Sequence, residues 1–271
     1  MKKNTFTLSI ITMSIFKKLR FTIRDLRFAI LAFCFLLSAF CLMSCTLSAK
    51  NIKGNGKLVT KSIAISDFSK IEIETFVEVN YSQEKNTGNL EFTVDENLWE
   101  YYNIYTKKDA LRIELKKEHK SRINTKPTKI LLTVSSAQLE KIEVAGSTKF
   151  NFCTNFISQK LKIALAGSAQ IFANKFPVKV EELKINIAGS GNVHLLGAVQ
   201  EATVEIAGSG NVNALDCKIA RMYVEIAGSG DVKAHVTDKL NAEIAGSGNV
   251  KFKGDPTVKS KIAGSGKVVK L

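Results

Sequence analysis

The second half of the chain alternates apolar and polar residues around a five-residue motif that occurs seven times. Each copy has a β-forming residue followed by Ala-Gly-Ser, and the last five copies add a second glycine. The central glycines are Gly146, Gly167, Gly189, Gly208, Gly228, Gly246 and Gly264. Successive copies lie 18 to 22 residues apart. A repeat of this length with strand chemistry predicts an all-β, single-stranded parallel β-helix, in which each repeat forms one turn of a solenoid.

Counted from the central glycine, even positions are apolar and odd positions are mostly polar. The residues two positions before it are Val144, Leu165, Ile187, Ile206, Ile226, Ile244 and Ile262. The residues four positions after it are Phe150, Ile171, Val193, Val212, Val232, Val250 and Val268. A period of two predicts strands with one buried face. We therefore expect these residues to stack as core columns, with turns about 4.8 Å apart.

The Ala-Gly-Ser-Gly segment lies between two predicted strands and is therefore interpreted as a corner. A glycine that recurs at a corner indicates a positive φ, or a backbone too close to its neighbour for a Cβ atom. The motif serines are interpreted as satisfying corner backbone groups or one another. The column after the corner is Lys149, Gln170, Asn192, Asn211, Asp231, Asn249 and Lys267. Its amides predict a hydrogen-bonded ladder, and its single acidic residue argues against calcium-binding repeats.

Residues 1–44 are typical of a lipoprotein signal peptide. They contain seven Lys or Arg and one acidic residue, and end in an uncharged apolar stretch from Phe28 to Met43. The segment Leu42-Met43-Ser44-Cys45 resembles the lipobox of bacterial lipoproteins, in which the cysteine is lipidated and becomes the mature N-terminus. An uncleaved signal anchor stays open, because the stretch is only slightly short of a transmembrane helix. A start at Met13 also stays open.

The remaining chain divides into a lipidated tether, residues 45–56, and a single β-helix domain, residues 57–271. The domain is predicted to be irregular over 57–141 and regular over 142–271. Without the signal peptide the formal net charge falls from +14 to +8. This modest excess, in an exported chain without a binding motif for nucleic acid, argues against a nucleic-acid partner. It is compatible with weak attraction to anionic headgroups or acidic polysaccharide.

The irregular first half has strand-like segments without the glycine motif, and a short helix with Asp95 as its expected N-cap. We interpret it as about four atypical turns that close one end of the solenoid. Its aromatic group is the candidate ligand surface, with packing of the first turns as the alternative. The group comprises Trp99, Tyr101, Tyr102 and Tyr105.

Several short segments of this half occur in a recognisable order. They are 68–73, 77–81, 95–98, 110–113 and 139–142, followed by the Ala-Gly-Ser-Gly series. Together they resemble the family called putative auto-transporter adhesin, head GIN domain, over roughly residues 60–268. The resemblance implies an exported bacterial protein with a right-handed β-helix and without established catalytic residues. Thr148 and Ala169 depart from the pattern, since they stand where the second glycine is usual.

Catalytic and metal chemistry find little support in the sequence. Three outer-face acids, Glu205, Glu225 and Glu243, are interpreted as a solvated column rather than a catalytic cluster. The histidines His119, His194 and His235 share no metal-ligand spacing, and no histidine and acid recur beside the motif serines. Cys153 and Cys217 are expected about three turns apart, beyond disulfide reach, and are predicted to be largely buried free thiols.

We therefore predict a non-enzymatic lipoprotein of the cell envelope, anchored in the outer membrane through Cys45. Its predicted role is adhesion or binding of a polysaccharide or a surface protein, without a metal or cofactor, as a monomer or weak homo-oligomer. The alternative is an assembly protein that associates through open solenoid ends. Lysines near the C-terminal end would oppose such association. A carbohydrate-active enzyme is disfavoured, because no carboxylate cluster is evident.

Overall fold

The computed structural model describes residues 50–116, 118 and 123–271, so the signal peptide and Cys45 lie outside it. The strands of the first half are β1 (Lys50–Lys53), β2 (Leu58–Ala64), β3 (Lys70–Ile73), β4 (Val77–Ser82), β5 (Asn89–Asp95), β6 (Tyr102–Lys107), β7 (Ala110–Leu115), β8 (Ile123–Lys126) and β9 (Ile130–Ser135). A 3₁₀ helix, Glu96–Tyr101, connects β5 to β6. The strands of the second half are β10 (Lys141–Gly146), β11 (Thr148–Phe152), β12 (Phe156–Gly167), β13 (Gln170–Gly189), β14 (Asn192–Gly208), β15 (Asn211–Gly228), β16 (Asp231–Gly246), β17 (Asn249–Lys253), β18 (Thr257–Gly264) and β19 (Lys267–Lys270).

From β10 onward, each motif copy pairs in parallel with the same positions of the next copy. The register aligns Gly189 with Gly208 and Gly208 with Gly228, and the other central glycines follow in the same column. The stacked parallel strands form a β-solenoid of about 6 turns. The predicted fold class is therefore confirmed.

The predicted core columns are buried in every turn except the last. The residues two before and four after the central glycine have relative exposures of 3% or less through Val250. In the last turn, Ile262 is 41% exposed, because no further turn of the described chain covers it. Towards the other end, aromatic rings widen the core: Tyr81 packs 5.9 Å from Phe150, and Phe152 packs 5.1 Å from Phe156.

The two motif glycines meet two different needs of the corner. All seven central glycines have positive φ, between +119° and +137°. The second glycine has no such φ, but its neighbours leave no room for a side chain. At Gly230, an added Cβ would lie 2.5 Å from the Gly210 carbonyl oxygen and 2.8 Å from Ile206 Cγ2. The central glycine thus has the positive φ and, from Gly167 onward, also lies too close to the neighbouring turn for a Cβ, whereas the second glycine meets only the second condition.

In the irregular half, the order of the strands in space differs from their order along the chain. β3 pairs in parallel with β7 on one side and β10 on the other. β4 likewise lies between β9 and β11. The turn made by β3 and β4 therefore has two neighbours that both follow it in sequence. The remaining pairings, β2 with β5, β5 with β9 and β6 with β7, are antiparallel. Atypical turns are present as expected, but they are not a sequential continuation of the stack.

Residues 50–57 are bound to the domain rather than extended away from it. β1 pairs in parallel with β8, and the Gly54 amide donates to the Lys126 carbonyl at 2.9 Å. The Asn97 side chain accepts from the Asn55 amide at 3.0 Å and donates to the Lys53 carbonyl at 2.8 Å. From Lys50 onward, the segment assigned to the tether is therefore fixed against the start of the 3₁₀ helix.

Asp95 holds this segment in place. Its carboxylate is fully buried and accepts hydrogen bonds from the Gly56 amide at 2.8 Å and the Thr128 amide at 2.7 Å. Burial would raise the pKa of Asp95, but the hydrogen bonds from Thr128 and Gly56 outweigh it and hold the pKa below its ordinary value. The expected N-cap role is wrong, since the side chain makes no bond to the helix. The carboxylate accepts from two backbone amides outside the helix instead, those of Gly56 and Thr128.

The two cysteines of the domain differ in burial. Cys217 is fully buried, and this burial raises its pKa to about 12. Cys153 is half-buried, and burial raises its pKa as well. Both are free thiols.

We expect Cys217 to resist alkylation in the folded protein, because only the exposed thiolate reacts and burial disfavours it. Maleimide labelling at pH 8 followed by peptide mass mapping should leave Cys217 unmodified in buffer and modify it fully in denaturant. Cys153 serves as the internal reference and should react slowly in buffer. Rapid labelling of Cys217 without denaturant would contradict its placement in the core.

Candidate ligand-binding groove

A groove arises where four successive turns interrupt their period-two pattern. Two consecutive outward residues stand at this point of each of these turns, directly before a buried apolar residue. These pairs are Gln159-Lys160, Glu181-Glu182, Gln200-Glu201 and Ala220-Arg221. The parallel ladders skip the first member of each pair and resume at the second. The chain therefore bends at the same place in successive turns, and the bends align along the solenoid axis.

The aligned bends line a groove of about 1170 Å³. Val180 and Val199, whose side chains are buried, lie along its floor. One edge is a single ladder column of Ile157, which is 64% exposed, Lys179, Ala198 and Lys218. Its polar lining residues are Gln83, Gln138, Glu140, Ser158, Gln159, Lys160, Lys179, Glu181, Gln200, Lys218 and Thr237. Successive turns from Ile157 to Thr237 contribute to it. At about 4.8 Å a turn, the lined length is roughly 19 Å.

Gln83 fixes one end of the groove. Its side chain accepts from the Ile157 amide at 2.6 Å and donates to the Ile157 carbonyl at 2.7 Å. The same amide nitrogen donates to the Ala137 carbonyl at 3.1 Å. These hydrogen bonds connect the loop before β10 to the start of β12, and so fix the backbone at one end of the groove.

The rim of the groove is held by ion pairs between neighbouring turns. Lys160 pairs with Glu182 at 3.0 Å, and Arg221 Nε donates to Glu201 at 2.9 Å. Both pairs are solvent-exposed, so each contributes little to stability. Their effect is to order long side chains along one edge, while Lys179 and Lys218 line the groove from the other.

The four residues of the predicted aromatic surface have different surroundings. Trp99 and Tyr102 both pack on Phe92, with ring centroids 5.7 Å and 5.4 Å away. Tyr102 is buried and its hydroxyl lies 3.2 Å from Thr125 Oγ1, while Lys61 Nζ lies 4.3 Å over the Trp99 ring. Tyr105 lies apart and donates to Glu114 at 3.2 Å. Tyr101 is half-buried against the core. A ligand surface on these four residues stays a prediction.

The other sequence candidates lie outside the groove. Glu205 accepts from Lys184 at 2.7 Å and Glu225 accepts from Tyr223 at 3.3 Å, on the outer face of the stack. His194 stacks on Phe172 at 5.3 Å on a different face, and His119 lies outside the described residues. Within those residues, no group of three or more His, Cys, Asp or Glu is placed to hold a metal ion.

The amide ladder is confirmed in part. Asn211 donates to Asn192 at 3.0 Å, and Asn249 donates to Asp231 at 3.0 Å. The serine column shows one such contact, between Ser247 and Ser265 at 3.1 Å. These repeated side chains bind one another along the axis, and so serve the architecture of the stack.

Sequence reasoning missed the groove because it treated period-two alternation as continuous. The signal was present: a doublet such as Glu181-Glu182 or Gln200-Glu201 between two core residues breaks the alternation at one place in each turn. A break that recurs in successive repeats predicts aligned bends.

The stacked parallel strands and the glycine corner define the protein as a β-solenoid, and the aligned bends give it a lateral groove that runs along the solenoid axis. Residues 67–256 match the model of the family putative auto-transporter adhesin, head GIN domain. The chain belongs to this family, which confirms the resemblance found in the sequence. The family indicates a surface or exported protein. In the residues that the structure describes, no helix is long and apolar enough to span a membrane.

Solved structures of bacterial proteins share the fold. A putative lipid binding protein from Parabacteroides distasonis is 28% identical, with 82% of this chain and 100% of that chain covered and a TM-score of 0.70. A putative adhesin from Parabacteroides merdae is 30% identical over 82% of this chain and 100% of that chain, with a TM-score of 0.63. A putative adhesin from Bacteroides fragilis, 22% identical over 81% and 100%, shows the fold alone, with a TM-score of 0.73. None of the curated proteins matches this chain.

Proposed function

We propose that this protein is a non-enzymatic adhesion module of the cell envelope that binds a polysaccharide chain along its lateral groove. The groove carries the proposal, because it is long, open at its side and built from equivalent positions of successive turns. A linear polymer presents its own repeat to such a site, whereas a compact small molecule would use only part of it.

The chemistry of the lining favours sugar rings. A pyranose has an apolar face of C–H groups and an edge of hydroxyls. The groove offers Ala198 and the exposed Ile157 to the apolar face, and the amides of Gln159 and Gln200 can donate to and accept from hydroxyls. The two carboxylates that line the groove, Glu140 and Glu181, come from different elements, the loop before β10 and β13. The site is proposed to bind the polymer, in keeping with a family of adhesins.

Export supports the same role. The family is one of adhesins, and the lipobox-like segment ending at Cys45 predicts a lipid anchor in the outer membrane. A polymer held by several turns gains affinity from many weak contacts on a rigid frame, which suits attachment at a surface.

A glycan array probed with the full-length protein tests the proposal. We expect retention of at least one polysaccharide, and a loss of about tenfold or more on Ala198→Trp, because an indole in the edge column would obstruct the groove. Ala207→Trp is the matched control, since Ala207 is an equally exposed alanine on the corner column outside the groove. It should bind within about twofold of the parent, a change below about 0.4 kcal/mol.

Two results would contradict this function. Glycan binding that survives Ala198→Trp would move the site elsewhere on the solenoid. Absence of any retained glycan, with binding to a purified surface protein that Ala198→Trp abolishes, would replace the polysaccharide by a protein partner.

A further inference from the structure

A patch of apolar side chains lies beside the groove, on the same outer face of the stack. The edge column of the groove begins with Ile157, which is 64% exposed, and contains the exposed Ala198. Two positions before Lys179 and Ala198 stand Pro177, which is exposed, and Leu196, which is half-buried. Side chains two positions apart on a strand point to the same face of the sheet. The apolar patch is therefore continuous with the edge of the groove.

A projecting segment of β13 adds an aromatic ring to this patch. The ladder between β13 and β14 breaks after Ala173 and resumes at Val178, while β14 advances over the break by one residue, Leu196. The four residues 174–177 therefore have a single residue opposite them, and they bulge outward from the stack. This segment carries Phe176, which is 37% exposed.

The shelf formed by Phe176, Pro177 and Leu196 spans two turns and ends at polar residues. Leu196 aligns with Asp216 in the next turn. In the preceding turn, Asn155 stands at the position that corresponds to Pro177, directly before the paired residues. Two turns extend about 10 Å along the axis. The shelf therefore has the length of a short oligosaccharide, whereas the groove has that of a polymer segment.

The shelf lies too far from the groove for one glycan chain to cover both. Four residues separate Leu196 from Gln200, which lines the groove on the opposite side of its floor. At about 3.3 Å per residue, this separation is roughly 13 Å. A single extended chain of pyranose rings is narrower than that. A polymer in the groove therefore leaves the shelf uncovered, unless a side unit projects from it across the edge column.

The edge column is lowest next to the shelf. Ala198 stands between Lys179 and Lys218 in this column, and its methyl group is the shortest of the three side chains. Leu196 lies directly beyond Ala198 on the same strand. A side unit that leaves the groove over Ala198 thus reaches the shelf, with an ammonium group on either side to donate to its hydroxyls.

We propose that the shelf binds a side-branch sugar of the polysaccharide in the groove, with the ring of Phe176 stacked on the apolar face of that sugar. The inference rests on the proposed function and adds to it that the polymer is branched. An aromatic ring offers a broad apolar surface to the C–H groups of a pyranose. Phe176 is then a specificity-determining residue, because a linear polymer in the groove has nothing to place on it.

A comparison of branched and debranched polysaccharides tests the shelf. Each polysaccharide that the full-length protein retains on the array is measured again after enzymatic removal of its side units. We expect removal to weaken binding by about tenfold in the parent protein and by less than about twofold in Phe176→Leu. Leucine keeps an apolar side chain and removes only the ring. Phe176→Tyr keeps the ring, so it should keep the tenfold difference of the parent, within about twofold.

Phe76→Leu is the matched control. Phe76 is also an exposed phenylalanine, at 55%, but it lies in the corner between β3 and β4, outside the groove. Its substitution should leave the preference for the branched polymer unchanged. Both phenylalanines are exposed, so the fold should be retained in each variant, as circular dichroism can verify.

A tryptophan placed on the shelf reports the contact directly. Trp99 is the single tryptophan of the chain, so Trp99→Phe combined with Phe176→Trp leaves one fluorophore, at position 176. We expect its emission to shift to shorter wavelength when the branched polysaccharide is added, because a sugar replaces water on the ring. The debranched polysaccharide should leave the emission unchanged although it occupies the groove.

The outcomes separate the shelf from the groove. If Ala198→Trp abolishes binding but debranching weakens the parent and Phe176→Leu equally, the groove is the site and the shelf is not used. If every retained polysaccharide is linear, the polymer is not branched and the proposal is wrong. If no polysaccharide is retained, the proposed function fails, and this inference fails with it.

Discussion

Replacing Gly228 with alanine is expected to destabilise the domain by more than about 4 kcal/mol. The added Cβ would lie 2.3 Å from the Gly208 carbonyl oxygen, which belongs to the backbone of the turn below and cannot move aside. The residue also has a φ of +133°, which L-residues with a side chain rarely adopt and which costs about 1–3 kcal/mol. Urea unfolding followed by circular dichroism measures the loss.

A second glycine separates the two causes. Gly146 has nearly the same φ, +137°, but its nearest neighbour to an added Cβ is the Thr75 carbonyl oxygen at 3.7 Å. Gly146→Ala should therefore cost only the conformational part, about 1–3 kcal/mol. Ser229→Ala, at the exposed corner beside Gly228, should change stability by less than about 0.5 kcal/mol. Equal losses for Gly146→Ala and Gly228→Ala would show that contact between turns is not what requires glycine.

Replacing Asp95 with alanine is expected to cost about 3 kcal/mol and to release residues 50–57 from the domain. The substitution removes two hydrogen bonds from backbone amides to a buried carboxylate, and leaves the amides of Gly56 and Thr128 without an acceptor. Limited proteolysis should then cleave near Gly54 while the solenoid stays intact. Glu96→Gln is the control, since Glu96 makes an exposed pair with Lys57 that contributes little.

The same carboxylate predicts a pH dependence with a definite sign. The pKa of Asp95 is lower in the folded protein than its ordinary value, near 3.9. The ionised group therefore stabilises the fold above that value, and the contribution is lost as pH falls through the lowered pKa. Protection of residues 50–57 from proteolysis should decrease as the pH falls below about 4 in the parent protein. In Asp95→Asn it should be weaker at neutral pH and nearly independent of pH over that range.

Much of the solenoid could be predicted because its information is local and repeated. Ile206 and Val212 keep their distance from Gly208 in every copy, and such positions align as soon as one turn stacks on the next. The glycine corner was predictable for the same reason. What the sequence left open was which glycine needs the positive φ, because that depends on backbone contacts between turns.

The parts that sequence did not predict depend on long-range pairing. Asp95 precedes a helix and has the chemistry of an N-cap, yet its acceptors are used by Gly56 and Thr128, which lie 39 and 33 residues away. Trp99 and Tyr102 have side chains that could bind a ligand, but both rings pack against the buried Phe92. The groove is formed by bends in several turns whose residues differ, so the sequence of any single turn does not indicate it.

The order of the first turns has a consequence for synthesis on the ribosome. The turn of β3 and β4 is sandwiched between segments that are translated later, β7 and β9 on one side and β10 and β11 on the other. The strand edge that pairs with β10 and β11 has no partner until residues up to Phe152 have emerged. The amino-terminal third therefore cannot complete its fold as it leaves the ribosome, although domains generally form from that end. For a protein bound for export, this delay keeps the early chain open during the interval in which it must be handed to the secretion machinery.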